Sequence, residues 1–426
     1  MFPLTAAHVL LAAIVIVSVL LMLVRPRGLP EVYWIGAGVF LLLILRLIPL
    51  RLAAMAAKKG TDVYLFLIGM MLLSELAREQ GVFDWLASAA VRHARGSYGR
   101  LFFLVYAVGT VVTILMSNDA TAVVLTPAIL VAVRAANVEP LPYLFVCAFI
   151  ANAASFVLPI SNPANLVLFH DQMPPLGRWL LWFTVPSIFS IVVTFLVLRW
   201  LFRRQLRATI EQTPSDHRLT TNGRLVIAGL AATAIVLLIA SALDWDLGLP
   251  TCLTALAVTA MISLRARFNP LPLFREISWS TLALVAGLFI MVDAVETIGA
   301  MDATRHSLAW ADSIPAPAGA LSSGFAVGVA NNLVNNLPLG LIVGTSLRAA
   351  HVKSLIASAV LIGVDLGPNL SITGSLSTIL WLLALRKARI QVSFWSFLLV
   401  GAAAMPTALL FSLGGAVFMH WCFGAP

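Results

Sequence analysis

The sequence predicts an all-α polytopic membrane protein built from two repeats that cross the membrane in opposite orientations. Three observations predict this class: charged residues are scarce, apolar runs have the length of membrane spans, and the two halves share one residue spacing. Of the 426 residues, 11% are charged and 61% hydrophobic, and the mean hydropathy is +0.98. An ordinary soluble domain carries about 25% charged residues. The composition therefore excludes a water-soluble protein, a disordered chain and a nucleic-acid-binding tail.

The uninterrupted apolar runs come first. Runs of roughly 16 to 25 mainly apolar residues have the length that a bilayer core requires. We predict membrane spans near residues 5–24, 31–48, 63–79, 180–201, 225–243, 249–264, 279–298 and 394–417.

Four further apolar stretches contain polar clusters in mid-run. We interpret them as two re-entrant hairpins and two broken spans. The hairpins lie near 99–134 and 319–347, and the broken spans near 141–168 and 354–385. With the uninterrupted runs, this predicts about ten membrane spans.

A polar linker divides the chain into two domains of equal length. The linker, 203–224, separates a first repeat, 1–202, from a second, 225–426. Each repeat has an odd number of full crossings, so the second is expected to enter the membrane inverted, as in many secondary transporters. Lys and Arg predominate on the side of the linker, which predicts that the linker is cytoplasmic.

The spacing of glycines and asparagines supports an internal duplication. Asn118 follows Gly81 at the same distance along the chain as Asn336 follows Gly299. Both asparagines fall in the polar cluster of a predicted hairpin. Chance would seldom produce this match.

The polar clusters are the predicted site of the chemistry. Within hydrocarbon, non-helical backbone is tolerated only against protein or a water-filled cavity. The clusters are MSNDATA at 116–122, ANAASFVLPISNPAN at 151–165, ANNLVNNLPLG at 330–340 and GVDLGPNLSITGS at 363–375. Half-helix ends, open carbonyl groups and amide side chains can replace the hydration of a small solute. We therefore expect these four breaks to bind an ion or a small polar solute.

Asparagines are concentrated in the breaks. An amide both donates and accepts hydrogen bonds, which suits a hydroxyl-bearing or cationic guest. The candidate lining residues are Asn118, Asn162, Asn332, Asn335, Asn336 and Asn369. The alternative is that these side chains only cap the broken helices.

Two carboxyl groups, Asp119 and Asp365, lie within the breaks. A carboxyl group in a poorly solvated site tends to hold a proton, so both are candidate proton carriers. The alternative is a permanently ionised helix cap that faces water. Glu75 and Asp293 occupy matching positions at span ends, and we interpret them as interfacial charges.

Metal and cofactor sites are not expected. Cys147, Cys252 and Cys422 are far apart in apolar sequence and form neither a disulfide framework nor a CxxC metal site. The chain contains no GxxxxGK[ST] phosphate loop, so ATP hydrolysis would require a separate subunit. We predict no catalytic residue, no metal and no cofactor.

Together the four motifs SNDATAVVLTP, FIANAASFVLPISNPAN, NNLVNNLP and DLGPNLSITGSLSTILWL resemble the bacterial arsenite efflux permeases of the ion transporter superfamily. The resemblance implies a multi-pass protein of the bacterial cytoplasmic (inner) membrane with scaffold and transport domains. It also implies elevator-type export of arsenite and antimonite in exchange for protons, in some members with a soluble ATPase subunit. Arsenite in neutral water is a small uncharged trihydroxide, which amides and hydroxyls can bind.

The resemblance also implies the site residues. Those implied to bind the substrate are Ser117, Asn118, Ser161, Asn162, Asn165, Asn335, Asn336, Asn369, Thr373 and Ser375. The resemblance implies that Asp119 and Asp365 couple transport to protons. The sodium-coupled carriers of the superfamily have Ser-Asn-Thr at the hairpin tips, whereas this chain has Asp119 and Leu337 at the Thr positions, which argues against a sodium site.

Three alternatives stay open. A sodium-coupled importer of a carboxylate or sulfate is disfavoured because no Lys or Arg lies in the four breaks. An intramembrane aspartyl protease would use Asp119 and Asp365 as its dyad, but it gives the duplicated asparagines no role. A passive membrane anchor for an ATPase would copurify with that subunit and show no transport of its own. We expect a transporter rather than an enzyme.

Overall fold

The residues described by the computed structural model are 6–169, 173–207 and 218–424. All regular elements within these ranges are helices. Eight of them are long and apolar enough to cross a membrane, or nine if Leu50–Lys59 and Thr61–Glu79, bent by 49°, form one span. The predicted all-α polytopic class is confirmed. The centre of the predicted linker, 208–217, lies outside the described residues.

The first half forms long helices that alternate with short ones. They are α1 (Ala6–Val24), α2 (Glu31–Ile44), α3 (Leu50–Lys59), α4 (Thr61–Glu79), α5 (Val82–His93), α6 (Tyr98–Met116), α7 (Asn118–Ala135), α8 (Leu141–Ala153), α9 (Pro163–Phe169) and α10 (Leu176–Leu201).

The second half follows the same order of long and short helices. They are α11 (Thr221–Ala242), α12 (Gly248–Ala266), α13 (Leu271–Glu276), α14 (Trp279–Thr297), α15 (Asp302–Ser313), α16 (Ala316–Val334), α17 (Asn336–Ala350), α18 (Ser354–Leu366), α19 (Leu376–Lys387) and α20 (Phe394–Phe423). Gly81 and Gly299 precede α5 and α15 with φ of 71° and 70°, a conformation that glycine adopts at little cost. The inverted orientation of the second half stays a prediction.

The second predicted span ends earlier than expected. The apolar run 31–48 predicts a helix to its end, but α2 ends at Ile44. Arg46 adopts a left-handed φ of 54°, and Pro49 lacks the N–H group that would continue a helix. The chain then forms α3, whose Lys59 Nζ lies 2.6 Å from Asp293 Oδ2.

Each hairpin turns at a single residue. Ser117 (φ 119°, ψ 162°) separates α6 from α7, and Asn335 (φ 79°, ψ 152°) separates α16 from α17. The Tyr98 hydroxyl at the start of α6 donates to the Asn137 carbonyl oxygen beyond α7 at 3.5 Å. The two ends of this hairpin therefore meet, and its re-entrant path through the membrane stays a prediction.

The broken spans are interrupted by loops that contain prolines. Residues 154–162 separate α8 from α9, and 367–375 separate α18 from α19. Pro159 is the first residue and Pro368 the second residue of short 3₁₀ turns within these loops, where their missing N–H groups break no helical hydrogen bond.

Candidate functional site

The structure brings the four breaks together. The Ser377 hydroxyl at the start of α19 donates to Asp119 Oδ1 beside the first hairpin tip at 2.6 Å. Asn162 Nδ2 in the first broken span donates to Asp365 Oδ1 in the second at 2.7 Å. The Asn336 N–H group at the second tip donates to the Gly374 carbonyl oxygen at 3.0 Å. The breaks therefore form one polar centre.

Asp365 is sealed inside this centre. Its side chain is 0% exposed, and Asn162 is its hydrogen-bond donor at Oδ1. Ser155 lies beside the carboxyl group, but its hydroxyl donates to the Asn152 carbonyl oxygen at 2.7 Å. Within the described ranges, Oδ2 receives no hydrogen bond, and no Lys or Arg pairs with the carboxyl group. Asp365 is thus a buried acid with one unoccupied acceptor.

Asp119 has a different environment. It is only partly buried, and with Ser117 it lines a cavity of about 180 Å³ bounded on the other side by α4 and the start of α14. Its Oδ1 accepts the hydrogen bond from Ser377. Of the two predicted proton carriers, one faces a cavity and the other is enclosed.

Several predicted residues cap or tether backbone. Asn162 Oδ1 accepts from the Ala164 N–H group at 3.0 Å, and Ser375 Oγ accepts from that of Thr378 at 3.1 Å. Asn165 Nδ2 donates to the Ser155 carbonyl oxygen at 2.9 Å and, more weakly, to two later carbonyls of the loop. The contacts of Asn162 and Asn165 stabilise the loop 154–162, and the contact of Ser375 caps α19, as the capping alternative predicts.

The second tip is joined to the loop 367–375 by hydroxyls and amides. Asn335 Nδ2 donates to the Thr373 carbonyl oxygen at 3.3 Å. The Thr373 hydroxyl donates to the Asn332 carbonyl oxygen at 3.0 Å, and the Ser371 hydroxyl donates to Asn332 Oδ1 at 2.7 Å. A Cβ at Gly374 would lie 2.8 Å from Asn332 Oδ1, so this close approach requires glycine.

An amide chain links the two broken spans. Asn369 Nδ2 donates to the Phe149 carbonyl oxygen at 3.1 Å, and Asn369 Oδ1 accepts from Asn152 Nδ2 at 3.0 Å. The Phe149 carbonyl oxygen can only accept a hydrogen bond, so the Asn369 atom that contacts it must be the amide nitrogen. The Asn369 oxygen then contacts the amide nitrogen of Asn152, and the orientation of both amides is fixed. Ser161 is held elsewhere, through donation to the Ile114 carbonyl oxygen at 3.0 Å.

Unpartnered acceptors mark the polar centre. Within the four breaks, the buried amide and carboxyl oxygens that receive no hydrogen bond from the described part of the chain belong to Asn118, Asn152, Asn165, Asn331, Asn336 and Asp365. The amide nitrogens of Asn165 and Asn331 donate to backbone carbonyls, which fixes their free atoms as oxygens. Buried polar atoms normally have partners, so this set suits a guest that donates hydrogen bonds. No Lys or Arg lies in the four breaks to attract an anion.

The remaining sequence candidates lie outside this centre. Glu75 pairs with Arg78 and Asp293 with Lys59, as expected of charges at span ends. Glu75 also lines the cavity beside Asp119. Among the described residues, no group of three or more His, Cys, Asp or Glu side chains could hold a metal ion.

Sequence reasoning missed Asn152, Asn331 and Ser377 as members of the centre. Asn152 and Asn331 stand on helices one turn before a break, where the sequence gives no sign of which face turns inward. Ser377 follows Ser375 in the first turn of α19. All three residues lie within the sequence motifs quoted above, and this position was the signal in the sequence that could have placed them in the centre.

Comparison with known proteins agrees with this architecture. The sequence pattern of the CitMHS family, described as Citrate transporter, matches residues 57–364. An arsenical pump membrane protein of Escherichia coli is 24% identical over 421 aligned residues, which cover 94% of this chain and 96% of that protein. An arsenical pump membrane protein of Yersinia enterocolitica is 25% identical, with 81% and 83% covered. The relationship predicted from the four motifs is confirmed.

The fold is also similar to a solved structure. The crystal structure of the Alcanivorax borkumensis YdaH transporter, reported to have an unusual topology, matches with a TM-score of 0.57 and 16% identity over 88% of both chains. The relatives and the apolar helices identify a multi-pass protein of the bacterial inner membrane. Since the family pattern matches more than half of the chain, the protein belongs to the citrate transporter family and is a secondary transporter.

Proposed function

We propose that the protein exports arsenite, and also antimonite, from the cytoplasm in exchange for protons. The four breaks bind the substrate, and Asp365 and Asp119 bind the protons. The observation that carries the proposal is the buried Oδ2 of Asp365, which receives no hydrogen bond from the described residues. The similarity to arsenical pump membrane proteins supports the choice of substrate.

The chemistry of the acceptors favours a neutral hydroxylated guest. Arsenite at neutral pH is As(OH)₃, which offers three O–H donors and no charge. The centre offers buried amide oxygens, among them those of Asn165 and Asn331, that receive no donor from the described chain. A carboxylate or sulfate substrate would bring only acceptors and negative charge to the same oxygens.

Exchange follows from competition at a single atom. A proton on Asp365 Oδ2 removes the negative charge and one lone pair, so the protonated oxygen accepts an O–H group of the substrate much more weakly than the carboxylate does. Asn162 donates to Oδ1 in either state. A proton arriving from outside therefore displaces the substrate, and loss of the proton restores the acceptor. The proton gradient supplies the free energy, so the mechanism needs no ATPase subunit.

Elevator-type movement is consistent with how the breaks are held. Hydrogen bonds join the breaks to one another, as between Asp119 and Ser377. The surface of α4 that lines the cavity opposite them is largely apolar and includes Phe66, Leu67 and Met70. A group of elements tied by polar contacts can slide as one body against an apolar wall.

The proposal is tested in proteoliposomes that contain the purified protein. A proton gradient should drive arsenite accumulation in wild type, and Asp365→Asn together with Asp119→Asn should abolish it. Asp302→Asn is the matched control, since Asp302 is an exposed carboxylate paired with Arg305. Undiminished accumulation by the double variant would disprove the mechanism.

The family description, Citrate transporter, favours one second candidate substrate, citrate or a related carboxylate. Together with the alternative left open by the sequence, this gives a sodium-coupled importer. The acceptor-rich centre and the lack of Lys and Arg in the breaks count against it. Sodium-dependent citrate uptake by the same proteoliposomes, without arsenite transport, would reverse the ranking.

A further inference from the structure

The cavity beside Asp119 has a composition that substrate binding does not explain. Its volume is about 180 Å³, and its polar lining comes from four elements. Ser117 and Asp119 belong to the first hairpin, and the other polar side chains are contributed by α4, the end of α13 and the start of α14. They are Ser74, Glu75, Glu276, Ser278 and Thr281.

The cavity lies toward the end of α4 at which the linker joins α11. The α4 residues that line the cavity extend as far as Glu75, one turn before the helix ends at Glu79. Gly223, in the first turn of α11 and at the end of the linker, packs against this end, since a Cβ there would lie 3.1 Å from the Gln80 carbonyl oxygen. Glu276, at the end of α13, is the exposed carboxyl group of the cavity lining. Asp119 also lines the cavity, and it accepts a hydrogen bond from Ser377 in the polar centre.

Hydroxyl groups line the passage between these two carboxyl groups. The Ser74 side chain is 8% exposed, and its oxygen has no hydrogen-bond partner among the described residues. Thr281 is equally buried, and its hydroxyl lies 2.8 Å from that of Ser278. A buried hydroxyl requires a partner, and a cavity of this volume has room for several water molecules.

The charges around the cavity determine whether cations or anions are attracted into it. Asp119, Glu75 and Glu276 contribute three carboxyl groups. None of the described residues that line the cavity is Lys or Arg, and Arg78, outside the lining, binds Glu75 through both carboxylate oxygens. The balance is negative, which attracts cations and repels anions.

We propose that this cavity is the path by which protons pass between Asp119 and the linker side of the membrane. A proton leaves the Asp119 carboxyl group for a water molecule in the cavity, moves along waters held by the Ser74 and Thr281 hydroxyls, and emerges at Glu276. The O–H bond of Asp119 breaks as an O–H bond of water forms, and no electrons are transferred. The inference rests on the proposed exchange of arsenite for protons, and it assigns the proton a route separate from that of the substrate.

The test removes the hydroxyls while preserving their volume. The double variant Ser74→Ala, Thr281→Val is compared with wild type in two assays: proton-driven accumulation of arsenite, and counterflow of labelled against unlabelled arsenite at equal pH. Counterflow requires no net proton movement. We expect accumulation to slow about tenfold and counterflow to change less than twofold. Thr259→Val is the matched control, because Thr259 is a buried hydroxyl without a partner in the described chain and does not line the cavity.

A second measurement reports on the path without transport. Ser74→Cys, with the three native cysteines replaced by alanine, is treated from the linker side with cationic and anionic thiol reagents of similar size. We expect the cationic reagent to react at least tenfold faster. Equal reaction rates of the two thiol reagents, or no reaction with either, would overturn the inference. In the transport assays of the double variant, unchanged arsenite accumulation would also overturn it, and so would an equal loss of accumulation and counterflow. Failure of wild type to transport arsenite would instead refute the proposed function, and the thiol rates would still decide whether the path is open.

Discussion

Asn162 donates a 2.7 Å hydrogen bond to Asp365 across 203 residues of sequence. One residue comes from the first broken span and the other from the second. The bond occupies one carboxylate oxygen and leaves the other facing the polar centre without a donor from the described residues. It also fixes the Asn162 amide, whose oxygen caps α9 through the Ala164 N–H group. One asparagine therefore serves both as a helix cap and as the orienting partner of the buried acid.

Asn162→Ala should destabilise the protein and abolish arsenite binding. The substitution leaves Asp365 Oδ1 and the Ala164 N–H group without their partners, at a combined cost of about 2 to 4 kcal/mol. Thermal unfolding in detergent and arsenite binding measure the two effects. Asn269→Ala is the control, since Asn269 makes the same cap to the Leu271 N–H group on the surface at 3.0 Å. Equal effects of the two substitutions would show that Asp365 is not involved.

Arsenite binding to wild type should weaken as the pH falls. Protons and substrate compete for Asp365 Oδ2, so affinity can decrease by up to about tenfold per pH unit once the proton occupies the site. Asp365→Asn offers no titratable oxygen at this position, and its residual affinity should depend less on pH than that of wild type. Binding to purified protein, measured by calorimetry between pH 5 and 8, checks both profiles. Parallel profiles for wild type and the variant would remove Asp365 from the competition.

Ser117→Gly should stabilise the first hairpin. Ser117 adopts φ 119° and ψ 162°, a region in which non-glycine residues are strained by about 1 to 3 kcal/mol. We expect an increase in the melting temperature for Ser117→Gly and a decrease for Ser117→Val. The control, Ser307→Gly on the exposed face of α15, should lower stability by about 0.5 to 1 kcal/mol. A lower melting temperature for Ser117→Gly would mean that contacts of the hydroxyl outweigh the backbone strain.

Asn165→Ala should loosen the loop 154–162 selectively. The Asn165 amide donates to three carbonyl oxygens of this loop, of which the Ser155 contact at 2.9 Å is the shortest. Loss of these donors should raise amide hydrogen exchange in 154–162 by at least tenfold and leave α20 unchanged. Asn222→Ala, in the first turn of α11, is the control. Uniformly faster exchange throughout the chain would indicate global destabilisation instead.

The sequence predicted the helices well because hydropathy and proline are local signals. The long apolar runs correspond to helices, and the polar clusters fall at the breaks around Ser117 and Asn335. The early end of α2 and the existence of α3 were not anticipated. There the apolar run continues past the turn, and only the left-handed backbone at Arg46 shows that the helix has ended.

The sequence alone determined the class of protein, the positions of the four breaks and the residue types that fill them, because each depends on neighbours along the chain. Only the tertiary structure decided which residues meet. It paired Asn162 with Asp365 and Asn152 with Asn369, and it enclosed Asp365 while turning Asp119 toward a cavity. Such contacts depend on how distant helices pack, and hydropathy records how deeply a residue is buried but not which residue it faces.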